Sequence, residues 1–383
     1  MPTWRFSRVI QVEDSGVVKA RRRALPDAAT IIAGLRQTSY PVKILLVSEW
    51  FLKLVVPNQA RALAALGHDV RVLTRDHALE FDGDRTERRA AIDSAGVEFI
   101  ELPGTRYGRG SLRTAARVRE DVLDWAPDVT SVHQNADPRL LAIARCAPIA
   151  YTIHDPQQHP ESHVDTRRAR LTFRLWEQAS GAIIIHSDLL RDQLRSKLSK
   201  DKRIRIVPHG VDIAPAPLPV PEHETILLFG RLESYKGVTI LVDAMRILWQ
   251  TRPNARLIVA GRGPAAADVP EDPRIKLISR YITEAEVADL LAMARVSVLP
   301  YIQASQSGVG LLSLAHGIPT VVTDTGGLPD LAFTGLPAVP PRNAPALASA
   351  LSTALDMNSN QREKIHRFAS RRFSWENVAK SYV

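Results

Sequence analysis

The chain has 383 residues, 45% of them hydrophobic and 24% charged, which is enough for two domains with a buried core each and excludes disorder as the main state. Its single cysteine, Cys146, excludes an internal disulfide framework and a four-cysteine zinc module, so the cytoplasm is the expected home. The net charge of +9 gathers in the first half, in residues 1–40, in Arg106, Arg109, Arg113, Arg117 and Arg119, and between Thr166 and Arg205, where eleven basic residues face four acidic ones.

That distribution suits an anionic partner, whether a membrane surface, a lipid diphosphate or a nucleic acid, and equally suits solvated helix faces. Nucleic acid is set aside because only Tyr107, Phe173 and Trp176 could serve as aromatic platforms among the arginines.

In chain order, residues 1–40 lack the continuous apolar run of a secretory signal and read as a basic, poorly ordered extension. Aliphatic runs follow at Val42–Val47, Val70–Leu73, Val97–Leu102, Val129–His133, Ile149–His154, Ala182–His186 and Ile204–Val207, most of them separated by helix-length segments. Short strands buried on both faces and alternating with helices predict a doubly wound parallel sheet over residues 41–212.

Residues 213–222 read IAPAPLPVPE, with proline at every second position from Pro215 to Pro221. This spacing can neither continue a helix nor fill a central strand, so it predicts a stiff extended linker. The alternation then restarts, with strands at Ile226–Phe229, Arg256–Ala260, Ile275–Ser279, Val296–Leu299 and Thr320–Thr323 and helices near Gly237–Trp249, Glu284–Ala294 and Gly308–His316. A second doubly wound domain is expected over residues 223–365, and a C-terminal helix over 366–383 that packs back toward the first domain. The uncharged stretch Val296–Thr323 carries too many polar residues, prolines and glycines to cross a bilayer.

Two such α/β domains, Rossmann-like, set the carboxyl ends of both sheets across a cleft, where ligands bind in folds of this class. At the end of the first strand of the second half, Gly230 and Arg231 precede Lys236 and Gly237 at a helix start. Two cations so placed can converge on one diphosphate together with the helix N-terminus, the alternative being two surface cations. The segment ASQSGVG, Ala304–Gly310, opens a later helix: Ser305 or Ser307 can cap it, and Gly308 allows close approach of a ligand to free N–H groups. His154, Asp155, His159 and His163 invite a metal reading, but Pro156 and Pro160 make the loop irregular, and no metal site is expected. Asp82-Gly83-Asp84 reads as a solvated turn.

These segments together resemble the family 4 glycosyltransferases, which have the two-domain GT-B fold. The resemblance is carried by VPHGVD (Val207–Asp212), FGRLESYKG (Phe229–Gly237), VAGRGP (Val259–Pro264), SVLPY (Ser297–Tyr301), GIPTVVTDTGGLPD (Gly317–Asp330) and FSWENVA (Phe373–Ala379), in that order. It implies a retaining glycosyltransferase, with a nucleotide-diphosphate sugar bound by the second domain, an acceptor hydroxyl bound by the first, and no cofactor or metal. By position it puts the donor diphosphate at Arg231, Lys236, Ser307 and Gly308, and the nucleotide near Gly230, Arg280, Tyr281 and Ile282. The sugar falls by Asp155, Ser305 and Gln306, with His154 as the catalytic candidate. Two departures stand out. The pair of glutamates expected across the anion loop is replaced by Ala304 and Leu312 or, one residue on, by Ser305 and Ser313, which puts Leu312 and Ser313 by the ribose. The paired glycines expected after the first strand are absent from Ser48–Val56, SEWFLKLVV. A nucleotide-sugar isomerase and a catalytically silent donor-binding subunit are the rival readings. A lipid-linked acceptor and peripheral attachment at the inner face of an anionic membrane stay open beside a soluble acceptor.

Overall fold

The computed structural model describes residues 41–382 except 54, 78–80, 82–83, 105–109, 134–136, 156–165, 196–197 and 200–201, and the side chains of 166–170 are likewise outside the described set. The expected extension over residues 1–40 therefore lies outside it, as do Arg106, Arg109, Asp82, Gly83, His159 and His163.

The first sheet holds β1 (Lys43–Val47), β2 (Asp69–Arg75), β3 (Glu98–Leu102), β4 (Val129–His133), β5 (Ile149–Thr152), β6 (Ala182–Ile185) and β7 (Arg203–Ile206), in the order β3-β2-β1-β4-β5-β6-β7. Every pairing is parallel. Helices α1 (Val56–Ala65), α2 (Arg85–Ser94), α3 (Ser111–Trp125), α4 (Pro138–Ala144), α5 (Thr166–Ala179) and α6 (Arg191–Arg195) make the connections. The second sheet, also parallel, holds β8 (Thr225–Phe229), β9 (Arg256–Ala260), β10 (Ile275–Ile278), β11 (Val296–Leu299) and β12 (Thr320–Val322), in the order β10-β9-β8-β11-β12. With it go α7 (Val238–Leu248), α8 (Glu284–Met293), α9 (Gly308–Ala315), α10 (Ala344–Leu355) and α11 (Ser359–Phe373). A last helix, α12 (Trp375–Tyr382), follows.

The fold class is the one the aliphatic runs predict, because strands such as β4 and β8 are buried along their whole length and can be covered on both faces only by crossover helices. Strand order reverses between β1 and β4 and between β8 and β11, which opens a crevice at the carboxyl end of each sheet. Local chemistry fixes the helix starts. Asp84, read from sequence as part of a solvated turn, accepts the Thr86 and Glu87 amides at 2.8 and 3.0 Å and so caps α2. Thr283 and Glu286 form a reciprocal cap on α8.

The proline-rich run has no regular secondary structure, and it lies against the second half. Proline nitrogens cannot donate, so the carbonyls of the run need donors from elsewhere. Arg362 on α11, 1% exposed, donates to the Leu218 and Pro219 carbonyls at 3.3 and 3.1 Å and to those of Ala294 and Arg295 at 2.9 and 3.1 Å. Burial, with Arg295 adding, pulls its guanidinium down to about 10. The chain passes between the halves twice, and the two passages run side by side: Val211 N donates to Phe373 O at 2.8 Å, and a Cβ on Gly210 would overlap the Trp375 ring. Beyond that point Trp375, Val378, Ala379 and Tyr382 pack with Val42, Val56 and Val207 in the core of the first half.

Replacing Arg362 by alanine removes one donor group from four carbonyls at once. The expected loss is about 3 kcal/mol, with lysine recovering only part because an ammonium cannot reach both pairs of carbonyls. Denaturant unfolding of the three proteins checks this, and an unchanged midpoint for Arg362→Ala would show that the run is held by other contacts.

Candidate functional site

At the end of β8 the backbone turns through Gly230 at φ +117°, and Gly261, at the end of β9, has φ +143°. The two approach so closely that a Cβ on Gly261 would overlap the Gly230 carbonyl. The turn exposes Arg231 and leads through a short 3₁₀ turn, Ser234–Lys236, into Gly237 at φ +72°. There a side chain would strike the Pro300 carbonyl, so Gly237 is what lets this turn rest on the end of β11.

That seating places Lys236 Nζ 3.8 Å from the centre of the Tyr301 ring and 5.3 Å from that of Tyr235. Burial first, and then the neighbouring Arg231, lower its ammonium to about 7, Glu233 acting in the opposite sense. Tyr301 is buried, with its hydroxyl 3.5 Å from Ser307 Oγ. Ser307 in turn caps α9, accepting the Gly310 amide at 3.2 Å. The first-turn amides of α9 have no intrahelical partner, and a Cβ at Gly308 would meet nothing within 4 Å. Arg231, Lys236, Ser307 and Gly308 thus belong to one corner, which combines two cations, a helix N-terminus and open approach. Ser305 is buried beneath it, its carbonyl accepting the Gly327 amide at 3.0 Å, and Gln306 lies over Gly327.

The residues read as bordering the nucleotide divide. Ile282 and Leu312 pack together with Val309 against Phe229, Ile258, Ala260 and Leu290, so Leu312 puts an apolar surface where the family pattern has a carboxylate. Arg280 is paired with Glu286 and also donates to the Tyr281 carbonyl at 3.0 Å. Tyr281 is 52% exposed, and its hydroxyl meets Lys53 of the first half at 3.3 Å. Ser313 is turned inward: its hydroxyl meets Ser297 Oγ at 2.9 Å and the Val309 carbonyl at 3.0 Å, so it is not presented to a nucleotide. Of the two registers, only the one at Leu312 reaches the partly exposed surface.

In the first half, β5 stops at Thr152, two residues short of His154. The His154 ring is 7% exposed and stacks on Phe51 at 4.0 Å between centroids. Both its nitrogens are engaged, Nε2 with His133 Nδ1 at 2.9 Å and Nδ1 with His186 Nε2 at 3.0 Å. His154, the catalytic candidate of the sequence reading, is thus the middle of a chain and presents no free ring nitrogen. Burial, reinforced by the adjoining imidazoles, drives it well below the ordinary histidine range, and His133 and His186 to about 3. Asp155, beside it, is half-buried.

Sequence reading missed Tyr301, His133, His186, His209 and Phe51 as parts of the site. The signal for the histidines was their place: His133 ends β4, His186 follows β6 directly, and His209 comes shortly after β7. Phe51 has the left-handed φ of +69°, which the paired glycines of the family pattern would adopt without strain. Among the described residues no group of three or more His, Cys, Asp or Glu is arranged to hold a metal, and no helix is long and apolar enough to cross a membrane.

Comparison with known proteins adds to this geometry. Residues 54–215 match the family model for Glycosyltransferase Family 4, and residues 223–357 the model for Glycosyl transferases group 1. The glycogen synthase of Mycobacterium tuberculosis is 26% identical over 88% of this chain and 92% of its own. The D-inositol 3-phosphate glycosyltransferase of Jonesia denitrificans is 24% identical over 86% and 88%. Among solved structures, Anabaena HepE in complex with UDP and glucose shares the fold, with a TM-score of 0.65 at 16% identity over 88% of this chain and 97% of that one.

The lowered ammonium of Lys236 gives the corner a measurable signature. In the free protein Lys236 loses its proton as pH rises through about 7, whereas a bound diphosphate favours the charged form. Binding of a nucleoside diphosphate at pH 8 should therefore take up close to one proton and at pH 6 almost none, with affinity weakening by up to about tenfold per pH unit above 7. Calorimetric titration in buffers of different ionisation enthalpy measures the uptake, and Lys236→Met should abolish the lysine share of it.

Proposed function

This chain belongs to the group 1, family 4 glycosyltransferases and has GT-B architecture, and on that premise we propose that it moves a sugar from a nucleotide-diphosphate donor to a hydroxyl acceptor with retention of configuration. The observation that carries the reading is the convergence of Arg231, Lys236 and the α9 N-terminus on one corner at the carboxyl ends of β8 and β11. Breaking the sugar–phosphate bond leaves negative charge on the departing diphosphate. Fixed cations and amides stabilise that charge without reorganising, each lowering the barrier by about 3 kcal/mol, which supports a reading in which no metal takes that role. The complexes of HepE with UDP and glucose support the same reading for the donor.

Retention is supported by the histidine chain. His154 offers no free nitrogen to take the acceptor's proton, so the base that suits this geometry is an oxygen of the departing phosphate, on the face the leaving group occupies. The acceptor then attacks from that same face.

The basic first half supports an acceptor at an anionic surface. On α3, Arg113 and Arg117 are exposed beside Leu112 and Leu123, and on α5 Arg174 is exposed beside Leu171 and Leu175. Cations interleaved with exposed leucines suit attachment at a membrane, each cation adding about 1 kcal/mol. The phosphatidylinositol dimannoside mannosyltransferase of Mycobacterium tuberculosis, 30% identical over 40% of this chain, has a lipid acceptor in its name.

Two measurements test the reading. Hydrolysis-corrected transfer from a panel of nucleotide sugars should fall by about four orders of magnitude in Arg231→Ala/Lys236→Ala, on the basis of about a hundredfold per group, while the fold survives by circular dichroism. Undiminished transfer would remove the donor assignment, and interconversion of nucleotide sugars without transfer would favour an isomerase. Co-sedimentation should show binding to anionic but not neutral liposomes, released by salt. Equal binding to both would assign the arginines to solvated faces.

A further inference from the structure

Five groups from five segments of the first half form one continuous hydrogen-bonded chain. The Gln59 carboxamide oxygen on α1 lies 2.7 Å from His133 Nε2, His133 Nδ1 meets His154 Nε2 at 2.9 Å, His154 Nδ1 meets His186 Nε2 at 3.0 Å, and His186 Nδ1 meets the Val207 carbonyl at 2.9 Å. All of the side chains are buried. Each link needs one proton, and three neutral imidazoles supply one each.

The ends of the chain decide how those protons are arranged. The Val207 carbonyl can only accept, so His186 must carry its proton on Nδ1 and accept on Nε2. His154 must then carry its proton on Nδ1, and so must His133. This leaves His133 Nε2 as an acceptor that requires a donor. The donor available is the Gln59 amide nitrogen, which would otherwise lie buried without a partner. With that nitrogen turned toward His133, all four links are made and no charge enters the chain. With the amide oxygen facing His133, as the structure places it, the four links demand a fourth ring proton and one ring is an imidazolium, so the proton count and the orphaned nitrogen together assign the carboxamide turned end for end.

The geometry points to Gln59, His133 and His186 as positioning residues that hold His154 as a neutral imidazole in its Nδ1–H form. This deepens the proposed function and rests on it only for the link to turnover. A sugar whose ring gains positive charge as the diphosphate departs is then met by an uncharged wall, where an imidazolium would oppose the reaction. Among the described residues, the rings act on one another together with His209, whose ring centre is 5.2 Å from that of His186 and 6.2 Å from that of His154. Asp155 follows His154 in the chain, and Asp212, beyond His209, is held by Asn58 at 2.8 Å. Phe51 covers one face of His154. All four imidazoles are shifted downward by burial, in keeping with a neutral chain.

The Nδ1–H form can be read without substrate. Long-range proton–nitrogen correlation spectra of the full chain labelled with ¹⁵N-histidine, assigned through single His→Gln variants, should show His133, His154 and His186 neutral, with Nδ1 protonated and Nε2 bare between pH 6 and pH 8. A proton on Nε2 of any of the three, or an imidazolium among them, overturns the proposal. The link to turnover is tested by Gln59→Glu. A carboxylate facing His133 Nε2 either loses that link or draws an extra proton into the chain, whereas a protonated carboxyl restores the donor. Turnover in Gln59→Glu should therefore fall by about tenfold or more relative to wild type as pH rises from 5.5 to 8, with KM for the nucleotide sugar matching that of wild type at each pH. Gln59→Met, which donates at no pH, should give reduced turnover with the wild-type pH profile. A Gln59→Glu enzyme with wild-type turnover and profile overturns the positioning role. If neither variant folds, the spectra of the wild-type chain still decide the tautomers. Because the spectra need no transfer reaction, failure of the donor assignment and failure of this chain are read separately.

Discussion

Burial of the strands on both faces is the constraint from which the arrangement of this molecule follows. A strand covered above and below by helices has no room for a polar side chain along its length that lacks an internal partner, so chemistry collects at the strand ends. Gly230 follows β8, Pro300 and Tyr301 follow β11, His133 ends β4, and His154, His186 and Val207 come just beyond β5, β6 and β7. Because every pairing is parallel, these ends lie along the same edge of each sheet. The site is a property of the sheets before it is a property of any single motif.

The two halves use that edge in opposite ways. The second half assembles positive charge: Arg231 is exposed, Lys236 sits over an aromatic ring, and the α9 N-terminus points its amides into the same corner. The strain of holding an ammonium there is visible in its lowered proton affinity, and an anion relieves it. In the first half the imidazoles are lowered by burial and by one another. Two of its buried carboxylates, Glu49 and Asp137, meet Arg75, and Asp137 also meets Arg139, which ties the loops after β1 and β4 together. In the proposed function, recognition of the charged leaving group and tolerance of a sugar turning positive fall to different sheets.

Much of the fold was legible because aliphatic runs bounded by polar turns have few alternatives. The run Ile226–Phe229 became β8 with one residue added, and Val129–His133 became β4 unchanged. The cationic corner was also legible in part, since Arg231 and Lys236 are near in sequence and Gly237 marks a turn. The histidine chain was not. Residues 133, 154 and 186 become neighbours only through the order β4-β5-β6, which no local pattern states, and the role of Gln59 depends on which way α1 leans over the sheet. Ser313 shows the converse. Its spacing suggested a ligand contact, and only the packing of α9 on β11 reveals that its hydroxyl is turned to Ser297. The docking of the proline-rich run could not be read locally either, because its donor, Arg362, lies some 140 residues further on.

The return of α12 to the first half has a consequence for the birth of the protein. The core containing Val42, Val56 and Val207 is completed by Trp375, Val378, Ala379 and Tyr382, so the first half is discontinuous along the chain. On the ribosome, residues 223–373 can emerge and fold as a unit, closing β8 to β12 and their helices, while the earlier half waits with one apolar face uncovered. That face is shielded only when the last helix leaves the exit tunnel. The half made first is thus the half whose core is completed last.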